Sequence, residues 1–115
     1  TEITFAEFDK KYTKDPQEKQ WLDGLFEFRD GTKVNTDLLF YSASDIFDYA
    51  SVIVYEGKIA HMQLETVNSI NEIEKGLGIS FSDDVIVDPN RVGFDIIFNE
   101  KFKDENIARF PNEWN

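Results

Sequence analysis

Cysteine is absent from this chain of 115 residues. A chain without cysteine forms no disulfide, binds no metal through thiolates and has no cysteine nucleophile. Glycine is scarce, and its six residues stand singly, so the phosphate-binding patterns GxGxxG and GxxxxGK[ST] do not occur. These absences exclude several classes of enzyme and fit a reducing cytoplasm.

Long hydrophobic runs are also missing. The longest apolar stretches hold three or four residues, whereas a membrane-spanning helix needs about 20. The first stretch, TEITFAEFDKKY, is charged and amphipathic, whereas a secretory signal contains a continuous apolar segment. We therefore expect neither a membrane segment nor a signal peptide, and we predict a cytoplasmic location.

Basic residues are few compared with acidic ones. Twelve Lys and Arg residues stand against 23 Asp and Glu residues, and the formal net charge is −11. Between residues 34 and 74 there are seven acidic residues and one basic residue, Lys58. Such a surface repels nucleic-acid phosphates and anionic lipids and attracts basic proteins. The charge predicts a basic protein partner and no direct binding to nucleic acid; an acidic surface that only maintains solubility is the alternative.

The chain does contain enough apolar material for one folded domain over residues 1–115. Hydrophobic residues make up 41% of it, with eleven Phe, four Tyr and two Trp. A chain of this length buries most of its surface without cross-links. Thr4 and Glu7 form a capping box that predicts a helix over residues 5–12, and Asp15 followed by Pro16 predicts a second helix that ends near residue 24.

The middle of the chain has the pattern of strands joined by tight turns. Asp30 and Gly31 stand between two strand-like runs and predict a hairpin with a type I′ turn, which needs positive φ at both residues. The next segment either continues as a strand to Tyr41 or turns helical. We favour a strand followed by one helical turn over residues 45–49.

A second hairpin is predicted in the stretch SVIVYEGKIAHMQLET, around residues 56–58. Simple alternation places Ala60, Met62 and Leu64 on one face and Ile59 on the other. Asn68 or Ser69 then caps a helix, INEIEKGLG, and two last strands are predicted over residues 85–87 and 92–98. This order of elements predicts an α+β domain: a mostly antiparallel sheet of five or six strands with two or three short helices packed on one face.

Four aspartates in the stretch DDVIVDPNRVGFDIIF raise the question of a metal site. Asp83 and Asp84 precede a strand, Asp88 stands in turn chemistry and Asp95 alternates with apolar neighbours, so each has an ordinary structural role. The spacing of an EF-hand is missing. We predict no metal site.

The single histidine, His61, is the other candidate for chemistry. A Ser-His-Asp site needs a positioned serine, and no GxSxG elbow is present. Two of the many carboxylates meeting in a cleft would also support acid–base catalysis. We predict no catalytic residue and no cofactor, and keep a small enzyme based on carboxylates or on His61 as an alternative.

Three tyrosines lie among the acidic residues of the middle third of the chain. Aromatic rings with a polar end supply buried area in an interface, while carboxylates pair with Lys or Arg of a basic partner. Half-buried tyrosines with a hydrated hydroxyl group are the alternative. The predicted partner-binding residues are Asp37, Tyr41, Asp45, Asp48, Tyr49, Tyr55, Glu56 and Glu65.

A small, acidic, cysteine-free α+β chain without a catalytic motif resembles the immunity proteins of bacterial toxin systems, including those of contact-dependent growth inhibition. The resemblance rests on the overall character of the chain, and no motif carries it. It implies a protein that binds a cognate toxin, often a basic nuclease, and blocks its active site or substrate groove. An adaptor or chaperone-like module for another basic protein is the alternative.

Overall fold

The fold consists of one sheet with helices on both of its faces. A computed structural model describes residues 1–15 and 24–109, with side chains at 1–15 and 24–106; within these ranges the chain forms six strands and three helices. In chain order they are α1 (Phe5–Lys11), β1 (Gly24–Glu27), β2 (Lys33–Tyr41), β3 (Tyr49–Tyr55), β4 (Lys58–Glu65), α2 (Ile70–Leu77), β5 (Ile86–Pro89), β6 (Gly93–Ile97) and α3 (Glu100–Arg109). The strand order is β1-β2-β3-β4-β6-β5 and all neighbours are antiparallel. The predicted α+β class is confirmed.

The first two helices begin where their caps predict. The Thr4 hydroxyl accepts a hydrogen bond from the backbone N–H of Glu7 at 3.2 Å, which fixes the start of α1. Ser69 and Glu72 form the full reciprocal capping box of α2. Gly78 ends α2 in the left-handed conformation, with φ +74°. The second predicted helix, over residues 15–24, lies largely outside the described residues.

Both predicted hairpins are present, but the type I′ turn at Asp30 and Gly31 is wrong. Only Gly31 has a positive φ there, +90°, and its N–H donates to the carbonyl of Phe28 at 2.9 Å. The Asp30 carboxylate accepts from the N–H two residues further on, which favours a three-residue loop ended by the glycine. The two positive φ values of a type I′ turn occur instead in the β3–β4 loop, at Glu56 (52°) and Gly57 (77°).

The β3–β4 pairing contains a bulge that changes which side chains share a face. Its register shifts next to Ile53, so that one residue of β4, Ala60, has no partner on β3. As a result Ile59 packs in the main core together with Met62 and Leu64, while Ala60 packs on the opposite face. The predicted grouping of Ala60 with Met62 and Leu64 is therefore wrong.

The segment between β2 and β3 is not helical. The Ser44 hydroxyl accepts hydrogen bonds from the N–H groups of Ile46 and Phe47 at 3.2 and 3.3 Å, and the Ser44 N–H donates to the carbonyl of Phe47. A serine side chain that bonds to nearby backbone in this way competes with helix formation. The predicted helical turn over residues 45–49 is wrong, and β3 already begins at residue 49.

Two apolar clusters lie on opposite faces of the sheet. On one face α1 and α2 bury Phe8 and Ile73 against strand residues such as Val52, and these two helices share a face as predicted. On the other face α3 buries Phe102 against Ile97. The sequence analysis did not predict α3, so a helix on this second face is an addition to the expected architecture.

Candidate binding surface

All five acidic residues predicted to contact a partner are exposed. None of their carboxylates has a Lys, Arg or His nitrogen within 4.0 Å in the described part of the chain. Nearby lysines pair with other acids instead: Lys58 with Glu2 at 2.9 Å and Lys14 with Asp9 at 3.4 Å. The charge of the predicted acids is therefore not neutralised by any ion pair within the described residues. These acids are Asp37, Asp45, Asp48, Glu56 and Glu65.

The predicted residues divide between two ends of the sheet. At the loop end, which we define by Asp45, Asp48, Tyr49 and Glu65, Tyr49 is paired with Glu65 and the Asp48 N–H donates to the Glu65 carbonyl at 2.7 Å. Asp45 lies beside them, because its carbonyl accepts a hydrogen bond at 3.4 Å from the side chain of Asn68, which lines one groove together with Asp48 and Glu65. These residues form one continuous surface.

The hairpin end, defined by Asp37, Tyr55 and Glu56, lies at the opposite end of β3. Glu56 is in the β3–β4 turn, and Asp37 pairs with Val54 at the same end of the strand. Seven residues of β3 separate the two ends, which at about 3.3 Å per residue is roughly 20 Å. The predicted interface is therefore two surfaces, and a small contact would cover one of them.

Tyr41 is not available to a partner. Its side chain is fully buried, its ring meets Phe8 edge-on at 5.0 Å, and its hydroxyl donates to Asp9 at 2.7 Å. Burial, together with the hydrogen bond to the Asp9 carboxylate, raises the pKa of Tyr41. The prediction that Tyr41 anchors a partner is wrong, because this residue belongs to the core.

Tyr49 and Tyr55 are half-buried, one at each end. Tyr49 stacks on Phe40 at 6.2 Å at the loop end. At the hairpin end Tyr55 packs against Phe102 at 5.8 Å, and the Lys101 ammonium lies 5.7 Å from its ring. A cation from a partner would have to compete with Lys101 for the Tyr55 ring.

Two exposed valines at the loop end were missed by sequence reasoning. Val67 is 95% exposed and Val92 is 53% exposed, and both line an open groove together with Asp48 and Glu65. Val67 stands between the end of β4 and the cap of α2, where neither helical nor strand periodicity applies. An apolar residue in such a connection is a signal from which an exposed Val67 could have been predicted. Val92 was missed because it was assigned to a strand.

The four aspartates of the stretch DDVIVDPNRVGFDIIF do not come together at one site. Asp83 and Asp84 lie before β5, while Asp88 and Asp95 are paired across β5 and β6. The described residues contain no group of three or more His, Asp or Glu side chains that could hold a metal ion. Asp95 is occupied by other contacts, with His61 as one partner.

His61 and Asp95 form a half-buried pair at 3.0 Å between Nε2 and Oδ1, and the Asn90 amide donates to the other oxygen of Asp95 at 3.1 Å. Burial raises the pKa of Asp95, but the hydrogen bonds from His61 and Asn90 outweigh it and hold the pKa below its usual value. In residues 1–15 and 24–106 no Ser or Thr hydroxyl is hydrogen-bonded to the His61 ring. The pair therefore joins β4 to β6 without presenting a nucleophile.

No helix in the described ranges is long and apolar enough to cross a membrane. Comparison with protein-family models, with curated proteins and with solved structures found no match for this chain.

Proposed function

We propose that this protein is a small binding protein that neutralises a cognate basic toxin domain, such as a nuclease, by occluding its active site or substrate groove. The observation that carries the proposal is a set of exposed carboxylates at the loop end and the hairpin end that have no Lys, Arg or His nitrogen of a described residue within 4.0 Å. Nucleases hold substrate phosphates with Lys and Arg. An acidic protein surface competes for those same side chains.

Unpaired surface carboxylates act mainly on the rate of encounter. Complementary charge accelerates association, and salt screens it over about 8 to 10 Å near physiological ionic strength. Association with the partner should therefore be fast at low ionic strength and slower at physiological salt. An association rate that does not depend on salt would count against electrostatic docking.

The function is tested by capture and by protection. The affinity-tagged protein should capture a basic protein from cells of the source organism, identified by mass spectrometry. Expression of that partner alone should arrest growth of a host cell, and coexpression of this protein should restore growth. A basic partner without toxicity would overturn neutralisation and support the adaptor alternative.

Charge reversal tests whether the acidic surface binds. Asp45→Lys combined with Asp48→Lys should slow association markedly, and the loss should shrink as salt rises. Asp83→Lys combined with Asp104→Lys changes the net charge equally at exposed positions elsewhere and should have a smaller effect. Both double variants should keep the stability of the parent within about 0.5 kcal/mol per site. Equal losses in the two variants would show that only net charge matters.

A further inference from the structure

The loop end contains a groove between the β4–α2 connection and the β5–β6 turn. One wall is formed by residues 65–68 and the other by residues 89–94, with Asp48 at one side. The two walls are tied together, since the Thr66 N–H donates to the Val92 carbonyl at 2.8 Å. The groove is therefore built by main-chain contacts between the two connections.

Apolar side chains are exposed in this groove to an unusual degree. Large hydrophobic residues that are exposed in the described part of the chain are Val67, Val92 and Leu25, and the first two line the groove. The Val67 side chain is 95% exposed, so it contributes almost nothing to the core. Exposed apolar residues that adjoin each other and are rimmed by charge are typical of an interaction surface.

The charges around the groove are unequal. Asp48 and Glu65 are exposed on it without a cation within 4.0 Å, and Asp45 lies next to them. Among the described residues that line it, the one cation is Arg91, which forms no ion pair with another described side chain. Two carboxylates against one guanidinium give the described lining of the groove a net negative charge, which attracts cations.

We propose that this groove receives a basic segment of the partner protein, in which an aliphatic side chain packs against Val67 and Val92 while a flanking Lys or Arg pairs with Asp48 and Glu65. This proposal rests on the proposed function, from which it takes the existence of a basic partner. It adds the place where that partner binds and the composition of the segment that makes the contact. Charge complementarity selects a basic segment, and the two valines select an aliphatic residue within it.

The test uses two short synthetic peptides of equal length and charge, one alternating Arg with Leu and the other alternating Arg with Ser. In a titration followed by amide NMR shifts, the Arg-Leu peptide should bind saturably and move the amides of Val67, Asn68 and Val92. The Arg-Ser peptide should bind more weakly. Val67→Ser should weaken binding of the Arg-Leu peptide about tenfold, the lower end of the effect expected when one fully buried aliphatic side chain is lost. Leu25→Ser, at an exposed site in β1, is the matched control and should change nothing.

A pair of charge variants separates position from net charge. Asp48→Asn combined with Glu65→Gln removes two exposed carboxylates from the groove, and Asp37→Asn combined with Glu56→Gln removes two from the hairpin end. None of the four has a cation of a described residue within 4.0 Å. The first double variant should weaken binding of the Arg-Leu peptide several-fold more than the second. Absence of saturable binding, equal binding of the two peptides, or equal losses in the two charge variants would each overturn the proposal.

The two proposals fail in different ways. If a toxin is captured and neutralised but its affinity does not change in Val67→Ser, the proposed function stands and the groove assignment is wrong. If the groove binds the Arg-Leu peptide as described but the captured partner is not toxic, the groove assignment stands and neutralisation is wrong.

Discussion

The substitution Phe102→Ala is expected to detach α3 from the sheet. The Phe102 side chain is fully buried, and its ring lies 4.8, 5.4 and 5.8 Å from the rings of Phe26, Phe28 and Tyr55. Among the described side chains of α3, Phe102 is the fully buried one in the apolar cluster on this face of the sheet. Its removal takes away the main apolar contact that the described side chains of the helix make.

The size of the effect follows from burial and from the neighbouring rings. Truncation of a buried Phe to Ala typically costs about 3 to 5 kcal/mol, because the transfer free energy is lost and a cavity remains. Aromatic pairs add about 0.5 to 1.5 kcal/mol each beyond their buried area. The three ring pairs therefore place the expected loss in the free energy of unfolding toward the upper end of that range, at about 4 to 5 kcal/mol. Such a loss is a large fraction of the roughly 5 to 15 kcal/mol by which domains are stable.

Urea unfolding measures the loss, and hydrogen exchange of the α3 amides shows whether the helix opens before the sheet. Phe81→Ala is the control, because Phe81 is half-buried on the main-core side and meets Phe98 at 6.0 Å. The control should lose less than Phe102→Ala and leave the α3 amides protected. A loss below about 1 kcal/mol in Phe102→Ala, with protected α3 amides, would refute the assignment of Phe102 as the anchor of this helix.

Three further predictions concern the close contacts of the sheet and its polar connections. Gly93→Ala should destabilise the domain by about 1 to 3 kcal/mol in urea unfolding, because a Cβ would lie 2.0 Å from the carbonyl oxygen of Leu64, and an unchanged midpoint would contradict this contact. Because the pKa of Asp95 is lowered in the folded protein, the unfolded chain takes up the proton at a higher pH than the folded one as the pH is lowered. The parent should therefore be more stable than Asp95→Asn above about pH 4, and this difference should shrink as the pH falls further. A difference that stays constant with pH would argue against the contact with His61. Ser69→Ala should cost about 1 kcal/mol through loss of the α2 cap, measured by thermal unfolding, and Ser69→Asp should retain most of the stability.

The elements that could be predicted from sequence are those with a local signal. Caps at Thr4 and Ser69 marked the first two described helices, and alternation together with glycine turns marked the hairpins. Helix α3 also has a cap, because the Asn99 side chain accepts hydrogen bonds from the N–H groups of Lys101 and Phe102 at 2.9 and 3.4 Å. The stretch EKFKDENIAR that follows contains too few apolar residues to show a helical period, so the cap alone did not lead to a prediction. Its position depends on Phe102 meeting rings that come from β1 and β3, which is a contact between distant parts of the chain.

The errors have the same origin. Alternation through β4 assumes a regular strand, and the bulge at Ala60 is set by pairing with β3, which a single strand does not reveal. For the predicted interface, the carboxylates were placed correctly on the surface because charged groups are rarely buried unpaired. Tyr41 was misplaced because a tyrosine that is adjacent in sequence to acidic residues can still face the core.

At the loop end, exposed valines and carboxylates stand on a tightly packed backbone. Gly93 lies against the backbone of Leu64, a Cβ at Gly76 would lie 2.2 Å from the Ile46 side chain, and the Thr66 hydroxyl donates to the Ile46 carbonyl at 2.8 Å. These contacts join the loop after β2 to α2 and join β4 to β6. Because association costs free energy for every loop that must become ordered, connections that are already tied together lower that cost. The same residues on independent loops would lose more conformational freedom on binding. The contacts that restrict these loops therefore support the proposal that a basic partner binds at this end of the sheet.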